Sequence, residues 1–166
     1  MEIWLIAAIS ANGFIAESSD QRSLDWTSKE DTRFFVEKTK EAGVVIMGRK
    51  TFETIGKPLK GRRLIVMTRH EGMKTQMEGV EFSTLSPVEL INKLTQEGIE
   101  SFVIAGGSSI YSQFLQAGLV TDLYLTIEPV LFGTGVSFAS GFDRMNLNLV
   151  EVRKLNEQSV LLHYKV

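Results

Sequence analysis

The chain reads as a single α/β domain: a central mixed sheet, mostly parallel, with an antiparallel edge from its C-terminal third and about four flanking helices. Two observations predict this class. Apolar runs of strand length at Ile3–Ile9, Val44–Met47, Leu64–Met67, Phe102–Ala105 and Leu123–Ile127 imply strands buried on both faces. Between them, Lys29–Ala42, Lys50–Ile55, Val88–Glu97 and Ser109–Ala117 carry helical patterns, and such alternation marks parallel strands joined by crossovers.

The elements follow in order. Met1–Ile9 is apolar but short, lacks a basic flank and carries Glu2, so it reads as a buried strand rather than a signal peptide. Thr27-Ser28-Lys29-Glu30 reads as a capping box with Thr27 as N-cap, and Ser86-Pro87 places a cap before a first-turn proline. Leu147–Leu155 and Val160–Lys165 flank Asn156-Glu157-Gln158 and read as an antiparallel hairpin at the sheet edge.

Composition narrows the function classes. At 166 residues the chain suits one domain, and 43% hydrophobic content with a net charge of −2 fits a globular protein rather than a disordered one. The acidic-leaning balance leaves no footprint for nucleic acid. No run reaches transmembrane length, so no membrane partner is expected and the cytoplasm is the expected location. The absence of cysteine excludes disulfides, thiolate-bound zinc and thiol catalysis. His70 and His163 belong to no metal-ligand spacing, and the serines lack a partnered histidine. Neither a metal nor covalent catalysis is expected.

Three segments could carry chemistry. In Val45-Ile46-Met47-Gly48-Arg49-Lys50-Thr51 a strand ends on a glycine and a helix begins among cations, a pattern that admits an anion to backbone N–H groups. Ile104-Ala105-Gly106-Gly107-Ser108-Ser109-Ile110-Tyr111 repeats that context; its spacing is neither that of the Rossmann fingerprint nor that of a P-loop. Thr68-Arg69-His70 follows a strand end, where α/β sheets bind ligands, and pairs a hydroxyl with a guanidinium. Taken alone, the first reads equally as a plain turn, and for the other two the plain turn and the solvated loop arginine are the stronger readings. Asp31 is the notable acid. With Thr27 as cap it shares a face with Phe34 and Phe35, which would desolvate it and raise its pKa. A second acid favoured by the helix dipole is the other reading.

Taken in order, these segments resemble dihydrofolate reductase over nearly the whole chain. The resemblance rests on Leu5-Ile6-Ala7-Ala8, on Trp26 before Asp31, and on Phe34-Phe35. It continues through Met47-Gly48-Arg49 with Thr51, Pro58-Leu59 with Gly61-Arg62, Gly106-Gly107 with Tyr111, and Tyr124-Leu125-Thr126. It implies that Asp31 holds a pterin ring, supported by Thr126, with Trp26 as a further catalytic-site residue. Ile6, Ala7, Thr32, Phe35, Ile55 and Leu59 would line the substrate site, and Arg62 would clamp the α-carboxylate of dihydrofolate. NADPH is the implied cofactor. Ala8 and Ile15 would meet its nicotinamide amide, and Gly106, Gly107, Ser108, Ser109, Ile110 and Tyr111 its diphosphate. Gly48, Arg49, Lys50 and Thr51 would lie across from these, and Thr68 and Arg69 would take the 2′-phosphate.

Departures from the family pattern are also present. The Ala16–Trp26 loop is longer and more polar than the usual lid, and Thr32 stands where a large apolar residue is usual. Gly133-Thr134-Gly135-Val136-Ser137 lacks the acid that tethers the lid in some members. Ser10–Ala16, Ala117–Leu123 and Pro129–Gly135 also look like the reductase domain of riboflavin biosynthesis, which uses NADPH on a ribosylated, phosphorylated pyrimidine. A third reading is a nucleotide-binding module without catalysis. The riboflavin-type similarity leaves monomer and homodimer both open.

Overall fold

The computed structural model describes residues 1–166. Its strands are β1 (Glu2–Ser10), β2 (Phe14–Ala16), β3 (Val44–Gly48), β4 (Arg63–Met67), β5 (Val80–Ser83), β6 (Ser101–Ile104), β7 (Asp122–Glu128), β8 (Val136–Ser137), β9 (Asn148–Lys154) and β10 (Val160–Lys165). The helices are α1 (Lys29–Ala42), α2 (Arg49–Ile55), α3 (Pro87–Gln96) and α4 (Ser108–Gln116). Eight strands form one sheet in the order β5-β4-β3-β6-β1-β7-β10-β9. Those from β5 to β7 run parallel, and β10 and β9 close the sheet antiparallel. The expected class and the C-terminal hairpin are both present.

The apolar runs are buried on both faces because helices cover both. On one face Ile3, Leu5, Val44, Ile46 and Ile104 pack against Leu90 and Leu94 of α3 and Phe114 of α4. On the other, Trp4, Ile6, Val103 and Tyr124 meet Phe34 of α1, while Val45, Met47, Leu64 and Val66 meet Phe52 of α2. Residues of opposite parity therefore serve opposite helix layers.

Three short strands escape the sequence reading. β5 is half-buried and shows no continuous apolar run, and β2 and β8 pair only with each other. An ideal Cβ on Gly135, just before β8, would lie 2.5 Å from the Ala16 carbonyl oxygen, so only glycine lets these two segments approach so closely.

The start of α1 is a correction. Ser28, not Thr27, is the N-cap: its side chain accepts from the Asp31 N–H at 3.2 Å. Glu30 closes no capping box and instead accepts from Asn156 Nδ2 at 3.1 Å. Phe34 is buried in the core, and Phe35, packed on the same cluster, also lines the cleft together with Asp31.

Candidate active site

In the sheet order, β1 is flanked by β6 and β7, whereas the chain passes from β1 to β3 before it fills the gap with β6. Such a switch in strand order leaves a crevice at the carboxyl ends of the strands. A cleft of about 1350 Å³ opens there. That is more than one small ligand needs, and it suits a dinucleotide beside a second molecule.

The two glycine segments meet at its floor. The Gly48 N–H donates to the Gly106 carbonyl oxygen at 2.7 Å, joining the ends of β3 and β6. The segments also interlock sterically: a Cβ on Gly48 would stand 3.0 Å from Ile110 Cγ1, and one on Gly107 3.2 Å from Thr51 Oγ1. Gly106 has φ +100°, and the Gly106–Gly107 peptide is cis. Helix α4 starts at Gly107 with no side-chain cap, whereas α1 and α3 are capped by Ser28 and Ser86. Its first N–H groups are left for an anionic ligand. Arg49, Lys50 and Thr51 line the cleft from α2, with Arg49 paired to Glu53, and Thr68 and Arg69 line it after β4. These residues suit a phosphorylated dinucleotide.

The other half is more apolar, walled by Ile6, Ala7, Phe35, Ile55 and Leu59. Asp31 enters it from the first turn of α1 and is only 8% exposed. Burial pushes its carboxyl up to about 6; the nearby Thr126 hydroxyl opposes that rise, and the charge of Glu128 adds to it. Thr126 itself is fully buried behind Asp31, and its hydroxyl closes no hydrogen bond of regular geometry. The Tyr111 hydroxyl donates to the Ile6 carbonyl oxygen at 2.7 Å, and burial, with the charge of Asp31, drives its pKa far above neutrality. Arg62 donates from Nη1 to Thr39 Oγ1 at 2.8 Å and from Nε to the Lys60 carbonyl oxygen at 3.2 Å. Partial burial lowers its pKa. These bonds hold the guanidinium at the cleft edge with donors to spare.

Of the residues that the resemblance assigns to the site, only Trp26 and Thr126 are not on the cleft lining; Ala8, Ile15 and Thr32 are. Trp26 packs edge-on against Phe132 at 5.1 Å, and its indole N–H is buried without a partner. The Thr32 hydroxyl is spent on the Ser28 carbonyl oxygen.

Several further lining residues were given no role at the site in the sequence reading. Ser18, Ser19, Gln21, Ser23 and Leu24 come from the polar segment before α1. Thr84, Leu85, Ser86 and Glu89 come from the start of α3, and Lys57, Pro58 and Lys60 from the loop after α2. Ser86 and the Pro58 loop were visible as punctuation, but only the sheet order turns them toward the cleft.

Fold and cleft together define an α/β domain of the reductase type, with a cleft at its strand ends whose size and lining suit a dinucleotide. The chain belongs to the dihydrofolate reductase family, whose sequence pattern it matches over residues 2–161. The type A13 dihydrofolate reductase of Escherichia coli is 37% identical over 135 residues, covering 80% of this chain and 77% of that one. Among solved structures, a protein assigned to riboflavin biosynthesis in Shewanella sp. PV-4 superposes with a TM-score of 0.84 at 19% identity, covering 99% of this chain and 98% of that one. A dihydrofolate reductase from Enterococcus faecalis complexed with NADP(H) gives 0.69 at 22% identity, covering 99% and 95%. At those identities the structural likeness is one of fold. No helix of the chain is long and apolar enough to cross a membrane.

Proposed function

We propose that the cleft catalyses NADPH-dependent reduction of 7,8-dihydrofolate to 5,6,7,8-tetrahydrofolate. The observation that carries this reading is Asp31: a buried acid set among apolar walls, with the Arg62 guanidinium at the rim of the same cleft. The second acid on the lining, Glu89, caps Ser86 of α3 and is committed there.

In this reading the uncapped start of α4 takes the cofactor diphosphate, with Arg49, Lys50 and Thr51 opposite, and Thr68 and Arg69 take the 2′-phosphate. NADPH supplies the hydride that adds to C6 of the pterin. The chain's own residues do the rest. Asp31 accepts from the 2-amino and N3 groups of the pterin, and its negative form favours a pterin protonated at N5. Phe35, Ile55 and Leu59 exclude water from the ring and align it. Arg62 fixes the α-carboxylate of the glutamate. The same reading makes the protein a one-domain cytoplasmic enzyme, working as monomer or homodimer.

The fold likeness to riboflavin-type proteins supports a second reading, reduction of a ribosylaminopyrimidine phosphate. Loss of NADPH absorbance with each substrate in parallel separates the two. Turnover with dihydrofolate and none with the pyrimidine is expected; the reverse would overturn the assignment, and turnover with neither would favour the module without catalysis.

A further inference from the structure

The protein contains its own comparison for the start of α1. Helix α3 has a complete capping box: Ser86 accepts from the Glu89 N–H, and the Glu89 carboxylate accepts in return from the Ser86 N–H at 2.8 Å. Helix α1 has the same spacing, with Ser28 as cap and Asp31 in the place of Glu89. Only half of that box is made. The Asp31 N–H donates to Ser28 Oγ, but the Ser28 N–H turns away and donates at 2.7 Å to the Oε1 of Glu128, a residue 100 positions distant at the end of β7.

Glu128 is 2% exposed and forms no salt bridge. Its other oxygen accepts from the Ser159 hydroxyl. The Ser159 N–H in turn donates to Asn156 Oδ1 at 2.7 Å, fixing the turn between β9 and β10. A carboxylate buried without a cation is costly, so its retention calls for a task. We propose that Glu128 is a remote cap and a positioning residue for Asp31: by accepting the Ser28 N–H in place of the acid at position 31, it frees the Asp31 carboxyl to face the cleft.

Remove that acceptor, and the cheapest partner for the Ser28 N–H is the Asp31 carboxyl, one helical turn away. Asp31 then completes the local box, as Glu89 does in α3, and leaves the substrate. The groups facing Asp31 are Thr126 and Glu128 from β7 and Tyr111 from α4; Glu30 on its own helix is held by Asn156. A carboxylate that gains a backbone N–H and loses a neighbouring negative charge titrates lower.

The proposal rests on Asp31 being the substrate-side acid, so its main test needs no substrate. Asp31 is titrated by carboxyl carbon NMR in wild type, Glu128→Ala and Glu128→Gln, with Asp31→Asn to assign the signal. In Glu128→Ala the midpoint should fall by roughly one unit or more, and dihydrofolate turnover at neutral pH by about tenfold or more. Glutamine serves as well as glutamate in a capping box. Glu128→Gln should therefore keep turnover within about threefold of wild type, with a smaller fall in midpoint from the lost charge. An unchanged Asp31 midpoint in Glu128→Ala would overturn the proposal, as would a Gln variant as damaged as the Ala variant. If Glu128→Ala does not fold, Glu128→Met keeps the volume without the acceptor and must show the same fall. Should dihydrofolate prove not to be the substrate, the titration still decides the question.

Discussion

The Tyr111 hydroxyl reaches across 105 residues of sequence to donate to the Ile6 carbonyl oxygen. The partner is available because β1 and β6 pair only as far as Leu5 and Ile104. Beyond that point β6 turns off at Gly106, and the β6 side of β1 loses its ladder. A buried carbonyl needs a donor, and Tyr111 supplies one. The bond thus ties helix α4 to strand β1 where the cleft opens.

Gly106 depends on that contact. It has φ +100°, and a Cβ there would lie 3.0 Å from the Tyr111 oxygen. Gly106→Ala should cost about 1–3 kcal/mol of stability and weaken NADPH binding, because Tyr111 and the start of α4 must shift. Gly118→Ala is the control: φ is +65° but nothing lies within 4 Å, so it should strain the backbone without touching cofactor affinity. Denaturant unfolding and NADPH fluorescence titration of both variants check this, and equal loss of NADPH binding would count against it.

For Asp31 the sign of the pH effect is definite. Its pKa rises from 3.8 to about 6 on folding, chiefly through burial, so the folded state binds the proton more tightly than the unfolded state. The penalty for ionising it is absent below the unfolded value, grows as pH rises between the two, and is complete above the folded value. Asp31→Asn should therefore melt higher than wild type at pH 8 by the equivalent of roughly 2–3 kcal/mol, the gap closing toward pH 4. The same substitution should cut hydride transfer by about 10²–10⁴-fold. Thermal melts at the two pH values and single-turnover kinetics test both halves. A variant no more stable at pH 8 than wild type would mean that Asp31 is not desolvated.

Arg69 follows β4 on the cleft lining. Removing a charge-assisted contact to the 2′-phosphate should cost about 1.5–3 kcal/mol, so Arg69→Ala should lose one to two decades of NADPH affinity while NADH binding barely changes. The preference for NADPH should also shrink as salt rises. Calorimetric titration of both cofactors is the measurement, and equal losses would move Arg69 away from that phosphate.

At Arg62 the test is a truncated substrate. Arg62→Ala should weaken dihydrofolate by roughly one to two decades and leave a pterin without the glutamate nearly unaffected. Its bond to Thr39 of α1 means that stability must be followed alongside. Intact NADPH binding shows that the cleft has survived the substitution. With that control in place, equal losses for the two pterins would shift the assignment toward the ribosylaminopyrimidine phosphate.

By itself the sequence determined the α/β class, the five buried strands, the four helices and the C-terminal hairpin, because apolar periodicity and capping act within a few residues. It also marked both glycine turns as places for an anion and Asp31 as a desolvated acid, while the pterin role of Asp31 and the carboxylate role of Arg62 came only from the family resemblance. What it could not settle came from contacts between distant segments. The local spacing favours Thr27 as the cap with Glu30 closing its box, but Ser28 takes that place once Glu128, arriving from β7, accepts its N–H and Asn156 holds Glu30. The ribbon of β2 and β8 has no partner but itself, and Ser86 or Ser23 reaches the cleft only through the strand order. Local terms select each element, whereas its neighbours depend on how the sheet is wound. The charge and burial that move Asp31 to about 6 exist only once β7, α1 and α4 have met.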